Sequence, residues 1–553
     1  MTTVNAPTTY DREMFRQTFE QEFTYINGFA RNVHRYAGRP ALTSPADGRM
    51  WTYAELDRDC NRLANALLAD GVGANDVVMF QLHNCPEFAM LYLAPKKIGA
   101  ISCPINFRLA YGETAVTIDD SRPAVFVYEV SLAKEARQAL NMAQHKPRRV
   151  VVVDNDAAEA EGVAFDEYLR SSPDSAPPID HPSELYDETT RLYTSGTTGM
   201  PKGVPLNNLT EVMSAHDVIM HFPLSPRDKT LNMTPWFHRG GLYSGGPNPV
   251  FYSGAQAFSL AKFDANAVLD YVEKFGITFL IGAPTNLKML ADAQQRNERN
   301  LETLKGIVTM GAPLEREACI RFQEVLTSNI FNGYGTTEAF WNTFLRPYDL
   351  PEYAGTAGRS CTDDDVAVVH VYDDRLAEPD DFVARDGTEV GEIIVRAPTK
   401  CTYTYIDKPD SAARTFYRGW VYIGDLGTWD ANEYVTVVGR KDDMIISGGE
   451  NVHPVQVEEV LNEHPKVTES VVVGVPDKEW GELVVAYVVS SDPTVTAAEL
   501  NRHCANHPML ARYKRPRYYR FVESVPMTAT GKKQHYKLKE QAARDFSAGL
   551  FHR

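Results

Sequence analysis

Short apolar runs alternate with helical patterns along most of the chain. Asp76-Val-Val-Met-Phe-Gln-Leu82 is apolar enough to predict a buried strand. Residues 86–98 predict a helix opened by Pro86, whose missing N–H costs nothing in a first turn. Ile101-Ser-Cys-Pro104 predicts the next strand. The same rhythm recurs at 149–153, 268–282 and 303–310, which predicts layered α/β structure with helices covering sheets. Residues 154–190, rich in Asp, Glu, Ser and Pro, read as a surface connection. The pattern changes near residue 440. Before it, 419–427 and 433–438 read as turns and small strands. Beyond it, Pro454 opens a helix through Leu461 with Val457, Val460 and Leu461 on one face. Residues 467–475 and 483–490 then predict strands, and 496–507 a helix. The expected architecture is α/β: a large N-terminal region of several α/β subdomains over 1–440, and a small α+β domain over 441–553, about 110 residues, an ordinary domain size.

Composition narrows the range of partners. The chain has 553 residues, 43% hydrophobic, enough for two or more domains. Its net charge of −17 argues against a nucleic-acid partner, so any phosphate site has to be built locally against the global field. The seven cysteines are scattered with no CxxC pair, which suggests neither a zinc site nor a disulfide framework and fits a reducing cytoplasm. The first 23 residues have no basic or apolar signal region, no run of 18 apolar residues predicts a membrane span, and Phe551-His552-Arg553 matches no peroxisomal or prenylation signal. The expected location is cytoplasmic.

The chemistry concentrates at residues 193–204, Tyr-Thr-Ser-Gly-Thr-Thr-Gly-Met-Pro-Lys-Gly-Val, which hold three glycines, one serine and three threonines. Glycine lets successive backbone N–H groups point to one side of a loop, and the hydroxyls and Lys202 add donors, so the stretch suits a polyphosphate. It is not a Walker A loop, for the GxxxxGK[ST] spacing is missing. It resembles the phosphate loop of the adenylate-forming enzymes: acyl-CoA synthetases, adenylation domains and firefly-type luciferases. The resemblance covers nearly the whole chain. Trp51 to Leu56, Lys97 to Ala100 and Pro104 to Asn106 look like early structural motifs of that superfamily, for which core packing is the better account.

The remaining roles are those the resemblance implies. Thr194, Ser195, Gly196, Thr197, Thr198 and Gly199, with Lys202, would hold the phosphates of ATP. In Asn332-Gly-Tyr-Gly-Thr-Thr-Glu338, Asn332 would bond the adenine edge, Tyr334 would stack on it, Thr337 would contact phosphate and Glu338 would hold Mg²⁺, a hard cation suited to carboxylate oxygen. Gly311, Ala312 and Pro313 look like the adenine wall, with Met310 in place of a usual glycine, where a side chain would narrow the pocket beneath or simply pack in the core. Asp425 would grip the ribose hydroxyls, Arg440 would approach ribose or phosphate, and Asp442 would be the hinge of the small domain. His238, in Pro235-Trp-Phe-His-Arg-Gly240, would orient the acid's carboxylate or gate its tunnel; Arg239 would hold an anion or cap a helix. Thr530-Gly-Lys532 resembles the catalytic lysine loop, with Lys533 as its decoy neighbour. Gly448, Gly449 and Trp480 have the form seen in CoA ligases, most like aryl-CoA ligases of the 4-chlorobenzoate type.

The implied function is ATP-dependent ligation of a carboxylic acid to CoA through an acyl-AMP, with ATP, Mg²⁺ and CoA as cofactors and co-substrate. Residues 1–440 would bind ATP and the acid, and 441–553 would be the mobile domain carrying Lys532. Trp236, Phe237, Tyr243, Met310, Phe340 and Trp341 make the expected pocket bulky, which hints at an aryl or compact alicyclic acid. Transfer to a carrier protein, oxidation as in luciferases and an inactive ATP-binding scaffold stay open as alternatives, as does a homodimer.

Overall fold

The computed structural model describes residues 9–154, 160–179, 183–195, 201–311, 314, 316–372, 375–441, 444–452, 454–526 and 535–553. Among them the strands form four sheets. In one, Val163–Ala164, Arg149–Val153, Val125–Glu129, Val77–Gln81, Ile101–Pro104 and Glu188–Ser195 lie side by side and parallel, and Pro201–Asn207 closes the edge antiparallel. A second, nine-stranded sheet has a parallel centre, which runs from Ile330–Thr336 through Gly306–Met310, Phe279–Gly282, Lys229–Asn232 and Gln256–Phe258 to Pro40–Thr43. Helices cover the parallel strands on both faces. That is why Val77–Gln81 is buried at every position and reads as an unbroken apolar run.

The other two sheets are smaller. One is antiparallel: Asp365–Val369, Gly391–Arg396, Trp420–Trp429 and Phe416–Tyr417, with Val435–Arg440 beside Trp420–Trp429. The last joins Glu450–Val452, Ile445–Ser447, Gly481–Ser490 and Val467–Asp477, with Tyr518–Phe521 parallel to Gly481–Ser490. The molecule thus has a large N-terminal α/β part and a small C-terminal α+β unit. The expected helix after 454 spans Pro454–Asn462, and its Val457, Val460 and Leu461 are buried on the C-terminal sheet's own core.

Three expectations need correction. The helix expected over 86–98 is divided: an α-helix Pro86–Leu93, then a 3₁₀ turn Pro95–Ile98, because Pro95 has no N–H to continue the ladder. Residues 154–190 are not all surface connection. They contain the strand Val163–Ala164 and the helix Phe165–Arg170, whose Phe165 and Leu169 enter the main core. Trp420–Trp429 is one ten-residue strand; its glycines mark an irregular register between Leu426 and Gly427 rather than a turn.

A polar network ties the strand Glu188–Ser195 to the helices Pro86–Leu93, Asn208–His221 and Pro247–Ser253. Glu211 is fully buried and accepts from Asn248 Nδ2 at 2.7 Å and from the hydroxyls of Tyr92 and Thr190. Lys96 Nζ lies 3.4 Å from Glu211 Oε1, and burial draws its ammonium down to about 8 even against that carboxylate.

Candidate active site

The phosphate stretch is a β-hairpin. Thr194 pairs with Lys202 and Ser195 with Pro201 across Glu188–Ser195 and Pro201–Asn207. Gly196, Thr197, Thr198 and Gly199 lie outside the described residues, as do Ala312, Pro313, Asp442 and Lys532. Lys202 projects over the ring of Tyr405, its Nζ 5.1 Å from the centroid. The Tyr405 hydroxyl donates to Glu338 Oε1 at 2.6 Å. Burial, and then the Glu338 carboxylate, push the Tyr405 phenol far above its ordinary range, so it stays a donor. Tyr405 thereby brings the hairpin lysine and the buried Glu338 together. Nothing in the run 402–405 marks it as a site residue.

Glu338 follows the strand Ile330–Thr336. Its Oε1 is taken by Tyr405, and no described residue hydrogen-bonds to Oε2. A carboxylate oxygen left in this way, next to Thr337, is a hard-ligand set that fits Mg²⁺. The Thr337 carbonyl accepts from Arg239 Nη1 at 2.5 Å. Arg239 is buried and also donates to Lys400 O at 2.8 Å, while its ring neighbours are Tyr243 and Phe340. It begins the short helix Arg239–Tyr243 and bonds carbonyls outside it, so it braces the Thr337–Glu338 segment rather than capping a helix.

On the same strand, Asn332 Oδ1 is buried with no hydrogen-bond partner among the described residues. An orphaned acceptor of this kind fits an amino donor such as the exocyclic amine of adenine. Tyr334 donates its hydroxyl to Asp425 Oδ2 at 2.7 Å, which fixes that carboxylate, and Asp425 pairs by backbone with Arg440 across the neighbouring strand. Gly311 has a positive φ of 81° and open space where a Cβ would stand.

Met310 is buried, its sulfur 2.9 Å from where a Cβ on Gly240 would lie. The aromatic residues expected at the pocket interlock: Tyr243 with Phe340 at 5.8 Å, Phe340 with Trp341 at 5.0 Å, and Trp341 onward with Phe222 and Phe344. Trp236 packs edge-on against Phe88 at 5.6 Å.

The C-terminal unit reaches this site through Glu450. Its carboxylate accepts from Arg108 Nη1 at 2.8 Å and Asn106 Nδ2 at 3.2 Å, and lies 3.7 Å from His238 Nε2. Burial would raise the Glu450 carboxyl, but His238, Arg108 and Asn106 outweigh it and hold it below the ordinary glutamate range. His238 is itself 43% exposed, its ring tilted at 46° to that of Phe237 with centroids 4.2 Å apart. Beside Glu450, Gly448 and Gly449 adopt φ of 61° and 78°. The Gly448 N–H donates to Trp480 O at 2.8 Å, and Arg517 lies 4.0 Å over the Trp480 ring. The role of Glu450 was not assigned from sequence, although it stands inside the glycine motif that was.

Against known proteins, residues 29–404 match the model of the AMP-binding enzyme family, and residues 456–532 that of the AMP-binding enzyme C-terminal domain. The chain belongs to the AMP-binding enzyme family. ATP and CoA are substrates of the AMP-forming ligases of this family. The chain is 32% identical to an indoleacetate–CoA ligase of Aromatoleum aromaticum over 92% of its own length and 96% of the relative's. It is 31% identical to a long-chain-fatty-acid–CoA ligase of Mycobacterium tuberculosis over 91% and 95%. A 4-chlorobenzoate–CoA ligase of an Arthrobacter species, the type that the glycine and tryptophan motifs resemble, is 30% identical over 92% and 94%. Among solved structures, the o-succinylbenzoate CoA synthetase of Bacillus subtilis superposes with a TM-score of 0.80 at 27% identity, covering 93% of this chain and 98% of that one. No helix among the described residues is long and apolar enough to cross a membrane.

Proposed function

We propose that the chain joins a compact aryl carboxylic acid to CoA in two steps, with 441–553 as a domain that turns between them. The acid's carboxylate attacks the α-phosphorus of ATP, forming acyl-AMP and releasing pyrophosphate. Both reactants are anionic and the carboxylate is a weak nucleophile, so the work falls to positioning and charge neutralisation. Lys202 and the hairpin hold the leaving phosphates, and Lys532 bridges the carboxylate and the α-phosphate. Asn332 and Tyr334 hold the adenine, and Asp425 with Arg440 the ribose. Mg²⁺ bound at Glu338 would supply further positive charge against the phosphate oxygens. In the second step the CoA thiol attacks the acyl carbon and AMP leaves, with pantetheine passing Gly448 and Gly449 and the Trp480 face meeting the nucleotide of CoA. His238, held by Glu450, lines the carboxyl end of the acid.

The observation that carries this reading is the run of contacts from Lys202 over Tyr405 to Glu338, with Arg239, the neighbour of the His238 that meets Glu450, holding the adjacent Thr337 carbonyl. The sulfur of Met310 against Gly240 supports a short pocket. The full-length similarity to an indoleacetate–CoA ligase supports an aryl acid. The test is release of AMP and pyrophosphate over aromatic, alicyclic and short-to-long aliphatic acids, each with and without CoA. AMP formation that needs both a compact aryl acid and CoA is expected. Activity confined to long-chain acids contradicts the pocket assignment, and pyrophosphate release without a CoA-dependent product points to a carrier-protein acceptor.

A further inference from the structure

A second contact joins the C-terminal unit to the N-terminal part, close to the one that Glu450 makes. The helix Tyr111–Ser121 follows Ala110, which offers no capping side chain. Helix N-termini leave several N–H donors without an intrahelical acceptor. Here the Gly112 N–H donates to Pro508 O at 3.1 Å, a carbonyl of the C-terminal unit. Glu113 Oε2 accepts from Ala110 N at 2.9 Å. Its Oε1 accepts from Gln456 Nε2 at 3.0 Å and from Lys514 Nζ, which also donates to Gln456 Oε1 at 2.9 Å. The Lys514 and Glu113 side chains are only 3% and 6% exposed. Gly112 permits the approach: a Cβ there would lie 2.7 Å from Pro508 O and 2.9 Å from Met509 Sδ.

We propose that Glu113, Gln456 and Lys514 form a polar latch that holds the C-terminal unit in the orientation where Glu450 meets His238, and so position it for thioester formation. The inference rests on the two-step reading above. Burying an ion pair adds little net stability, because desolvation offsets the attraction, whereas burying either charge alone is strongly unfavourable. Such a pair selects one arrangement more than it tightens the fold. When the two surfaces part, both charges regain water, so release strands neither of them. An apolar contact of the same size would leave a greasy patch exposed at every opening. A contact made and broken in each turnover is therefore better built from charges.

Gly112→Ala is the cleanest probe. Alanine suits a helix better than glycine, so the helix itself gains, while the added methyl meets Pro508 and Met509. Its thermal midpoint is expected at or above that of the unaltered protein. Thioester formation from supplied acyl-AMP and CoA is expected to slow at least tenfold, with acid-dependent ATP–pyrophosphate exchange within twofold. Glu113→Gln and Lys514→Met are expected to split the two half-reactions in the same direction. Equal loss of both half-reactions, or unchanged thioester formation, overturns the latch. Hydrogen–deuterium exchange over 111–113 and 508–514 reads the contact without any turnover: faster exchange in Gly112→Ala supports it and unchanged exchange overturns it. Should the unaltered protein adenylate an acid yet form no thioester with CoA, the CoA reading fails, and the exchange measurement still decides whether the latch exists.

Discussion

Tyr405 shows how one hydroxyl organises charge at the residue scale. Its phenol bonds Glu338 Oε1 at 2.6 Å while its ring lies beneath Lys202. A hydrogen bond to an ionised group contributes about 1.5–3 kcal/mol, a factor of roughly 10 to 100. Tyr405→Phe keeps the ring and removes the bond. It is expected to slow acid-dependent ATP–pyrophosphate exchange by that factor and to leave thioester formation from supplied acyl-AMP nearly unchanged. Exchange at the original rate would mean that Glu338 is held without Tyr405. The residues around Tyr405 differ in how well the chain announced them. Lys202 and Glu338 stand in motifs whose neighbours are proposed to share their task, so local spacing exposed them. Tyr405 serves a carboxylate 67 positions away, and its own neighbours carry no trace of that. Arg239 was visible only as an unusual residue beside His238; its acceptors, the carbonyls of Thr337 and Lys400, come from distant segments.

At the scale of elements, the helix Asn208–His221 is joined to the segments behind the site by Lys400. The buried ammonium donates to Asp217 Oδ2 at 2.8 Å, Asp364 Oδ2 at 2.7 Å and Trp341 O at 2.6 Å. One cation shared by two buried carboxylates leaves Asp364 undercompensated. Burial pushes it up to about 7 although Lys400 pulls the other way. The folded protein then holds this proton more tightly than the unfolded chain does. From the ordinary aspartate range up to about 7 the folded state binds more protons, so stability falls as pH rises through that window. The slope from one such proton is at most about 1.4 kcal/mol per pH unit. Asp364→Asn is expected to flatten it, as measured by urea unfolding at a series of pH values; an unchanged slope would assign the titration to another group. Element boundaries followed the chain where apolar periodicity was strong, as in Val467–Asp477. They departed from it where one residue decides, as Pro95 does inside the expected helix.

For the whole molecule the question is which face of the C-terminal unit meets the site. Glu450 occupies that place, 3.7 Å from His238, and Lys532 belongs to a different stretch of the same unit. If the unit turns between the two steps, the lysine acts in one orientation and the glycine motif in the other. Lys532→Ala is then expected to reduce adenylation about 100-fold or more, by loss of charge stabilisation in the transition state. Thioester formation from supplied acyl-AMP should stay within a few-fold. Parallel loss of both half-reactions, followed in separate single-turnover assays, would count against a turning domain.

The amino-acid sequence alone determined the α/β class, the small C-terminal α+β unit and the motifs of an adenylate-forming ligase. Each of these rests on periodicity or on residues that act beside their chain neighbours: glycines with hydroxyls and a lysine, or a carboxylate after a threonine pair. Only the tertiary structure decided which distant groups share a charge. Glu113 and Lys514 are 401 positions apart, and Asn106 and Glu450 are 344 apart. Each of these groups reads by itself as an ordinary solvated side chain. What makes them partners is the packing of two surfaces that excludes water from both, and that exclusion is a property of the folded arrangement rather than of any local run of residues.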